Sequence, residues 1–191
     1  MLKLVEAAVA ADVDLLQLRE KKLHTRVLYD LTTQAAEVTR GSRTRILVND
    51  RADVARAAGA SGVHLTTRSI EVSIIRQTFG RDFLIGVSTH SSSEVHEARH
   101  GGADFAVFGP VFETASKLQY GEPLGLEKLR EATISLTSFP LLALGGVTLD
   151  NLGDCFRAGA SGVAAIRLLN NPDRLAHVVR EIRARFREPE P

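Results

Sequence analysis

Seven short apolar runs, each closed by polar, charged or glycine residues, set the narrowest limits on what this chain can fold into. The runs are Val13 to Leu18, Arg45 to Val48, Gly62 to Leu65, Phe83 to Val87, Phe105 to Phe108, Leu141 to Leu144 and Gly162 to Ile166. They are mostly continuous Val, Ile, Leu, Phe and Ala rather than alternating, which is the pattern of strands covered on both faces in a parallel sheet. Between them lie stretches with helical spacing, such as Val27, Leu31 and Val38, or Ile70, Ile74 and Ile75. If the runs are parallel strands, the residues that close them share one rim.

Internal repetition points the same way. Ala58-Gly59-Ala60-Ser61-Gly62-Val63 recurs letter for letter as Ala158-Gly159-Ala160-Ser161-Gly162-Val163, with Gly101-Gly102-Ala103-Asp104-Phe105 as a looser copy. Glycine takes the left-handed conformation that ends a helix, and the small residues after it let the chain turn tightly into a buried strand. Repeated βα units of this kind build either an open doubly wound sheet or a (β/α) TIM barrel, and the barrel is the favoured reading. Such barrels have eight strands and about 200 residues or more. Here seven runs are present, and the chain opens on a helix-like segment, Leu4 to Ala11, so the barrel is expected to lack its first strand. Either the native chain begins upstream, or the fold leaves an unpaired edge that invites aggregation or pairing with another chain, a homo-oligomer.

Composition excludes several function classes. The 191 residues are 44% hydrophobic and 25% charged, enough for one domain, 1–191, with a substantial core. A net charge of +1, two Tyr and no Trp argue against nucleic acid as partner. No 18-residue apolar span is present, and Asp12 and Asp14 interrupt the first apolar stretch, so no membrane partner and a cytoplasmic location are expected. The single cysteine, Cys155, excludes an internal disulfide and reads as a packing residue in a helix. The tail from Arg183 to Pro191, rich in Arg, Glu and Pro, is expected to fray.

In a barrel the chemistry sits at the C-terminal ends of the strands, with phosphate often bound in the last two loops. Those loops hold Gly145-Gly146 and Ile166-Arg167. Adjacent glycines bring backbone amides close to an anion, and Arg167 adds a fork of donors, although the glycines also serve as plain turn formers. On another part of the rim, Gln17, Arg19 and Lys21 alternate with Leu18 and Glu20, which points their side chains one way, toward an anionic substrate. Asn49-Asp50 suits either a helix cap or a carboxylate that holds magnesium against a diphosphate. The stretch from Phe108 to Lys117 leads from a strand into a loop whose Thr114, Ser116 and Lys117 can donate to phosphate, with Gly121 as a hinge and the next helix near Leu124.

Two further features read as structural. His96-Glu97-Ala98-Arg99-His100 matches a zinc-protease pattern, but Val95 and Ala98 are expected to face inward and leave the histidines in solvent. His64, inside a strand, reads as packed and hydrogen-bonded.

Taken in order, Gln17-Leu18-Arg19-Glu20-Lys21, Asn49-Asp50-Arg51-Ala52-Asp53, Gly62-Val63-His64-Leu65, Gly86-Val87-Ser88-Thr89-His90, the Thr114-to-Lys117 loop, Leu144-Gly145-Gly146-Val147 and the second Ala-Gly-Ala-Ser-Gly-Val copy resemble the thiamine phosphate synthase and thiazole tautomerase superfamily. The resemblance covers nearly the whole chain. It implies a transferase of thiamine biosynthesis that joins hydroxymethylpyrimidine diphosphate to thiazole phosphate, releasing pyrophosphate. By the same resemblance Gln17, Arg19, Lys21 and Asn49 hold the pyrimidine diphosphate, Asp50 holds Mg2+, and Ser88 and Lys117 hold the departing pyrophosphate, with Arg19, Ser88 and Lys117 as catalytic groups. Thr114, Ser116, Gly146, Ile166 and Arg167 line the thiazole phosphate site.

Two departures from the family pattern matter. Synthases carry a second magnesium carboxylate after the His64-Leu65 strand, where this chain has Thr66-Thr67-Arg68-Ser69, so Ser69 stands in its place and metal binding is expected to weaken. Phe112-Glu113-Thr114 looks more like the tautomerase branch, but that branch's histidine base aligns with Pro110, leaving His90 or Glu113 as its replacement. A tautomerase-like isomerase and a non-catalytic phosphate-binding paralogue therefore stand as alternatives, with a sugar-phosphate isomerase barrel behind them.

Overall fold

A computed structural model describes residues 1–114, 122–136 and 138–187. Strands and helices alternate: α1 (Leu2–Ala10), β1 (Leu15–Leu18), α2 (Thr25–Val38), β2 (Arg45–Asn49), α3 (Ala52–Ala57), β3 (Gly62–Leu65), α4 (Val72–Phe79), β4 (Leu84–Thr89), α5 (Ser92–His100), β5 (Phe105–Phe108), α6 (Gly125–Ser135), β6 (Leu141–Leu144), α7 (Leu152–Arg157), β7 (Gly162–Ala164) and α8 (Pro172–Arg187). The seven strands are all parallel and lie in chain order β1-β2-β3-β4-β5-β6-β7.

The repeated sequences do the same local job in each copy. Gly59 and Gly159 both have positive φ, +74° and +94°, and the amides of Ala60 and Ala160 reach back to the carbonyls of Ala55 and Cys155 at 2.9 and 3.0 Å. The next residue then starts a strand: Ser61 and Ser161 donate to Ile46 and Leu141 of the neighbouring strand, both at 2.9 Å. In the looser copy Gly102 has φ +93°, Ala103 reaches back to Ala98, and Asp104 donates to Ile85. A left-handed glycine closing the helix and a small residue crossing into the sheet explain why this hexapeptide recurs.

Side chains alternate across the sheet. Val48, Val63, Leu65, Ile85 and Val87 pack outward against Ala52, Val54, Ala55, Ile75 and Ala98 of the helices. Leu47, Phe105 and Val107 form an inner cluster with Leu15 from one edge strand and Ala164 from the other, so the sheet curls into an incomplete barrel. The ring of helices closes even though β1 and β7 are not paired: Ala8 of α1 is buried against Leu175 and Val179 of α8. The missing first strand is thus an open side between β1 and β7.

Strand ends shift from expectation by one or two residues in β1, β2, β4 and β7, and the tail differs as well. β7 ends at Ala164 instead of Ile166, because its partner β6 ends at Leu144, where Gly145 begins a turn, and the other edge of β7 has no neighbour to pair with. Ile166 is 64% exposed in the following turn. The tail is helical as far as Arg187: Arg183 donates to the Asp12 carbonyl and pairs with Asp14 at 3.6 Å, and the Phe186 ring meets Phe156 edge-on at 5.1 Å. The remaining residues of the expected frayed segment lie outside the described residues.

Cys155 is fully buried in the cluster of Leu129, Leu141 and Leu152, as its place in α7 suggested. Burial pushes its thiol up to about 11, so at pH 8 it is a thiol rather than the reactive thiolate. Native protein at that pH is expected to leave Ellman's reagent unreacted over an hour, and to release one equivalent per chain after unfolding in guanidinium. Rapid native labelling would show that α7 opens locally.

Candidate active site

The C-terminal ends of β1 to β4 bring polar side chains from four strands onto the inner face. Gln17 and Asn49 are partners across β1 and β2, with Gln17 Nε2 donating to Asn49 Oδ1 at 3.1 Å. Asn49 faces His64 in register, and His64 Nε2 lies 2.9 Å from Ser88 Oγ on β4. His64 is buried, and burial holds its pKa down at about 4, with the nearby charge of Arg19 adding to the effect. Arg19 lies one residue beyond β1, near enough to His64 for its charge to act on the ring. Among the described residues Arg19, Lys21 and Arg167 form no ion pair, which leaves three cations for an anion from solution.

Asp50 follows β2 with φ at 61°, a left-handed conformation that Asp and Asn tolerate better than other side-chain-bearing residues. Its amide donates to the His64 carbonyl at 2.9 Å, which turns the carboxylate toward the loop after β3. There the hydroxyl of Ser69 donates to Asp50 Oδ1, and the same Ser69 oxygen accepts the Thr66 amide at 2.7 Å. The nearby Arg51 gives two bonds of 2.8 and 2.7 Å to Asp53 and acts on Asp50 only through its field. Arg51 in turn lowers the Asp53 pKa.

These donors suit a magnesium ion that is shared with a phosphate ligand. Mg2+ is commonly held by one or two carboxylates plus substrate oxygens, and here Asp50 offers the carboxylate and Ser69 a neutral oxygen. They do not make a protein-only cage: no group of three or more His, Cys, Asp or Glu side chains able to hold a metal occurs among the described residues. That includes the His96–His100 pattern. Val95 and Ala98 are buried as expected, both histidines are exposed, and His96 Nε2 pairs with Ser135 Oγ at 3.2 Å.

A second cluster forms where the loops after β5 and β6 meet. Val111 and Phe112 donate to the carbonyls of Leu144 and Gly145 at 2.8 and 3.0 Å. This close approach requires both glycines: a Cβ on Gly145 would lie 2.6 Å from Pro110 Cα, and one on Gly146 2.5 Å from the Glu113 carbonyl. The amides of Gly146 and Val147 have no intramolecular partner among the described residues, so they can serve an anion as well as form the turn. Half-buried Thr114 follows Glu113 on the loop after β5. The loop is pinned at its base by Leu124 and Gly125, which donate to Pro110 and Val111 at 2.7 and 3.2 Å. Ser116, Lys117 and Gly121, expected as donors and hinge, lie outside the described residues. Ile166 and Arg167 are exposed beyond β7, and among the described residues no hydrogen bond links the Arg167 side chain to the two clusters.

Sequence reasoning passed over two residues here. Asn151 accepts the Thr148 amide at 2.8 Å and donates to the Gly146 carbonyl at 3.0 Å, holding the diglycine turn open. The Thr-x-x-Asn spacing was its only signal. His64 was read as packed and hydrogen-bonded, but its partner Ser88 depends on a strand register that no local pattern encodes.

An incomplete parallel barrel whose strand ends carry a rim carboxylate and, among the described residues, unpaired cations and free loop amides defines a (β/α) barrel enzyme with a rim suited to anionic ligands. A family model described as thiamine monophosphate synthase matches residues 1–169. A putative thiamine-phosphate synthase of Geobacter sulfurreducens is 42% identical over 174 residues, covering 91% of this chain and 81% of the relative. The thiamine-phosphate synthase of Chloroflexus aurantiacus is 36% identical over 180 residues, covering 94% and 82%. The structure of a thiamine phosphate pyrophosphorylase from Pyrococcus furiosus superposes with a TM-score of 0.85 at 28% identity, covering 99% of this chain and 90% of that one. The chain belongs to the thiamine monophosphate synthase family.

Proposed function

We propose that this chain joins hydroxymethylpyrimidine diphosphate to thiazole phosphate, giving thiamine phosphate and pyrophosphate. The observation that carries the reading is the pooling of Gln17, Arg19, Asn49, Asp50 and Ser88 at the ends of β1, β2 and β4, within one rim that also presents the Gly146 and Val147 amides. That arrangement suits two phosphorylated substrates entering from different parts of the rim.

In this reading the Gln17–Asn49 pair, Arg19 and Lys21 bind the pyrimidine diphosphate. Asp50 holds magnesium, which when bound would neutralise charge on the diphosphate. The bond between the pyrimidine methylene carbon and the diphosphate oxygen breaks with its electron pair going to oxygen. The thiazole nitrogen then forms the new bond to that carbon. Ser88 and Lys117 donate to the departing oxygens, and fixed donors aimed at growing charge lower the barrier without reorganising. Thr114, Ser116, the Gly146 amide, Ile166 and Arg167 place the thiazole phosphate so that its nitrogen meets the cation before water does. Both substrates are charged phosphate esters, which suits a cytoplasmic enzyme.

The test is to incubate purified protein with both substrates, with and without magnesium, and to quantify thiamine phosphate and pyrophosphate. One-to-one formation that needs both substrates supports the synthase. Isomerisation of carboxythiazole phosphate without any condensation would shift the reading to the tautomerase branch, and binding without turnover to a non-catalytic paralogue.

The Ser69–Asp50 bond makes a separate prediction. Ser69→Asp is expected to raise affinity for free Mn2+ about tenfold or more, since a second anionic oxygen near a dication adds a Coulombic term of that order. Titration followed by electron paramagnetic resonance, with no substrate present, reads this directly. Unchanged affinity would mean that Asp50 and Ser69 do not flank the metal position.

A further inference from the structure

His64 alone among the six histidines is buried, and its surroundings fix what its ring can do. It lies on the inner face of β3, opposite Gly86 in the strand register, with the Phe105 ring tilted against it at a centroid distance of 6.1 Å. Gly86 is needed there, because a Cβ would meet the Phe105 ring at 2.2 Å. The imidazole is therefore confined by strands on both sides and by an aromatic ring, and its polar outlet is Ser88 Oγ, 2.9 Å from Nε2. The backbone of the same residue accepts the Asp50 amide at 2.9 Å. One residue thus bonds both the Asp50 backbone and the Ser88 hydroxyl.

The Nε2–Ser88 contact has two possible directions. If Nε2 is bare, the Ser88 hydroxyl donates to the ring and presents only oxygen lone pairs to the site. If Nε2 carries the proton, the ring donates to Ser88 Oγ and the hydroxyl proton is free to point outward. Only the second arrangement suits an anion.

We propose that His64 is a positioning residue for the group-transfer step: its Nε2–H holds Ser88 Oγ and so turns the Ser88 hydroxyl proton toward the departing diphosphate. The proposal rests on the reading of Ser88 as a pyrophosphate donor. A chain of hydrogen bonds running in one direction polarises each member, so the hydroxyl becomes a stronger donor as well as a fixed one. Arg19 favours the same direction, since its charge and the Ser88 proton then serve one anion. His64 itself touches neither the reacting carbon nor the leaving oxygen.

The test is a double-mutant cycle on the full chain, with kcat, both KM values and the affinity for magnesium pyrophosphate as readouts. His64→Leu fills the same space without a donor and is expected to lower kcat roughly 10–100-fold, the scale on which loss of a ligand's supporting partner acts. KM for thiazole phosphate is expected to stay within about twofold, a split that general loosening of the barrel would not produce. His64→Gln, whose amide can place an N–H near the Nε2 position, is expected to restore most of kcat. In a Ser88→Ala background, His64→Leu is expected to cost nothing further, because the hydroxyl it positions is gone.

Additive losses in the two backgrounds would overturn the proposal while leaving Ser88 in its role. Full activity in Ser88→Ala would overturn the reading of Ser88 and the proposal with it. Should His64→Leu fail to fold, nitrogen NMR of the native chain decides the matter: a protonated Nε2 on His64 with magnesium pyrophosphate bound supports the proposal, and a bare Nε2 overturns it.

Discussion

Asp50→Asn is expected to lower kcat/KM for thiamine phosphate formation by about 10³-fold, the upper end of what loss of one preorganised electrostatic contact costs. Asparagine is the right replacement because Asp50 has φ at 61°. Asn adopts this left-handed conformation readily, whereas Ala there would add strain of its own. Asn also keeps an oxygen that can accept from Ser69, so the loop after β3 should stay in place and the melting temperature should hold within about 2 °C. What is lost is the charge. Ser69 supplies a neutral oxygen where the family pattern has a carboxylate, so the variant has no anionic ligand in reserve. Excess magnesium should recover little activity, and Ser69→Asp in the same background should recover some, because it returns a carboxylate to the other side of the position. Activity within fivefold of the wild type would remove Asp50 from the proposed mechanism.

The second large effect concerns stability and lies at the opposite end of the barrel. Arg76→Ala is expected to cost about 3 kcal/mol, lowering the melting temperature by roughly 6–12 °C for a chain of this size. Arg76 leaves α4 and spreads its guanidinium over the joints around it. It donates to the carbonyls of Gly80 at 2.7 Å, Phe83 at 2.8 Å and Gly102 at 2.8 and 3.0 Å, and to Asp104 Oδ2 at 2.7 Å. Asp104 Oδ2 also accepts the Ile85 amide at 2.7 Å, so the pair fastens the starts of β4 and β5 to α4. The pair is largely sheltered, with side-chain exposures of 18% and 35%, and removing the cation leaves several acceptors short of a donor. Arg76→Lys should rescue only a minor part, because an ammonium cannot span a planar fan of acceptors. The folded fraction should keep its kcat, since these contacts lie at the strand starts. A melting temperature within 2 °C of wild type would show that water replaces the guanidinium at little cost.

Arg76 also marks where sequence reading stops. Nothing in Ile75-Arg76-Gln77 separates it from an exposed helix arginine, because its partners lie up to 28 residues away. The same holds at the rim. Gln17, Asn49, Asp50 and Ser88 were each legible as rim residues, since each follows an apolar run. Their pairings were not: Gln17 meets Asn49 across 32 residues, Ser69 meets Asp50 across 19, and His64 meets Ser88 across 24. Ser69 was expected merely to weaken the metal site, but the fold makes it a direct partner of Asp50.

From the sequence alone followed the alternation of strand and helix, the helix-closing glycines of the repeated hexapeptide, and the open side of the barrel. These are properties of short stretches, where periodicity, side-chain shape and the backbone freedom of glycine act within a few residues. Tertiary structure alone decided that β7 stops at Ala164, that the tail docks through Arg183 and Phe186, and that His64 faces Ser88. Each depends on which strand or helix lies alongside and in what register. That is settled by packing the whole sheet against its helices, a sum over contacts that no local stretch contains.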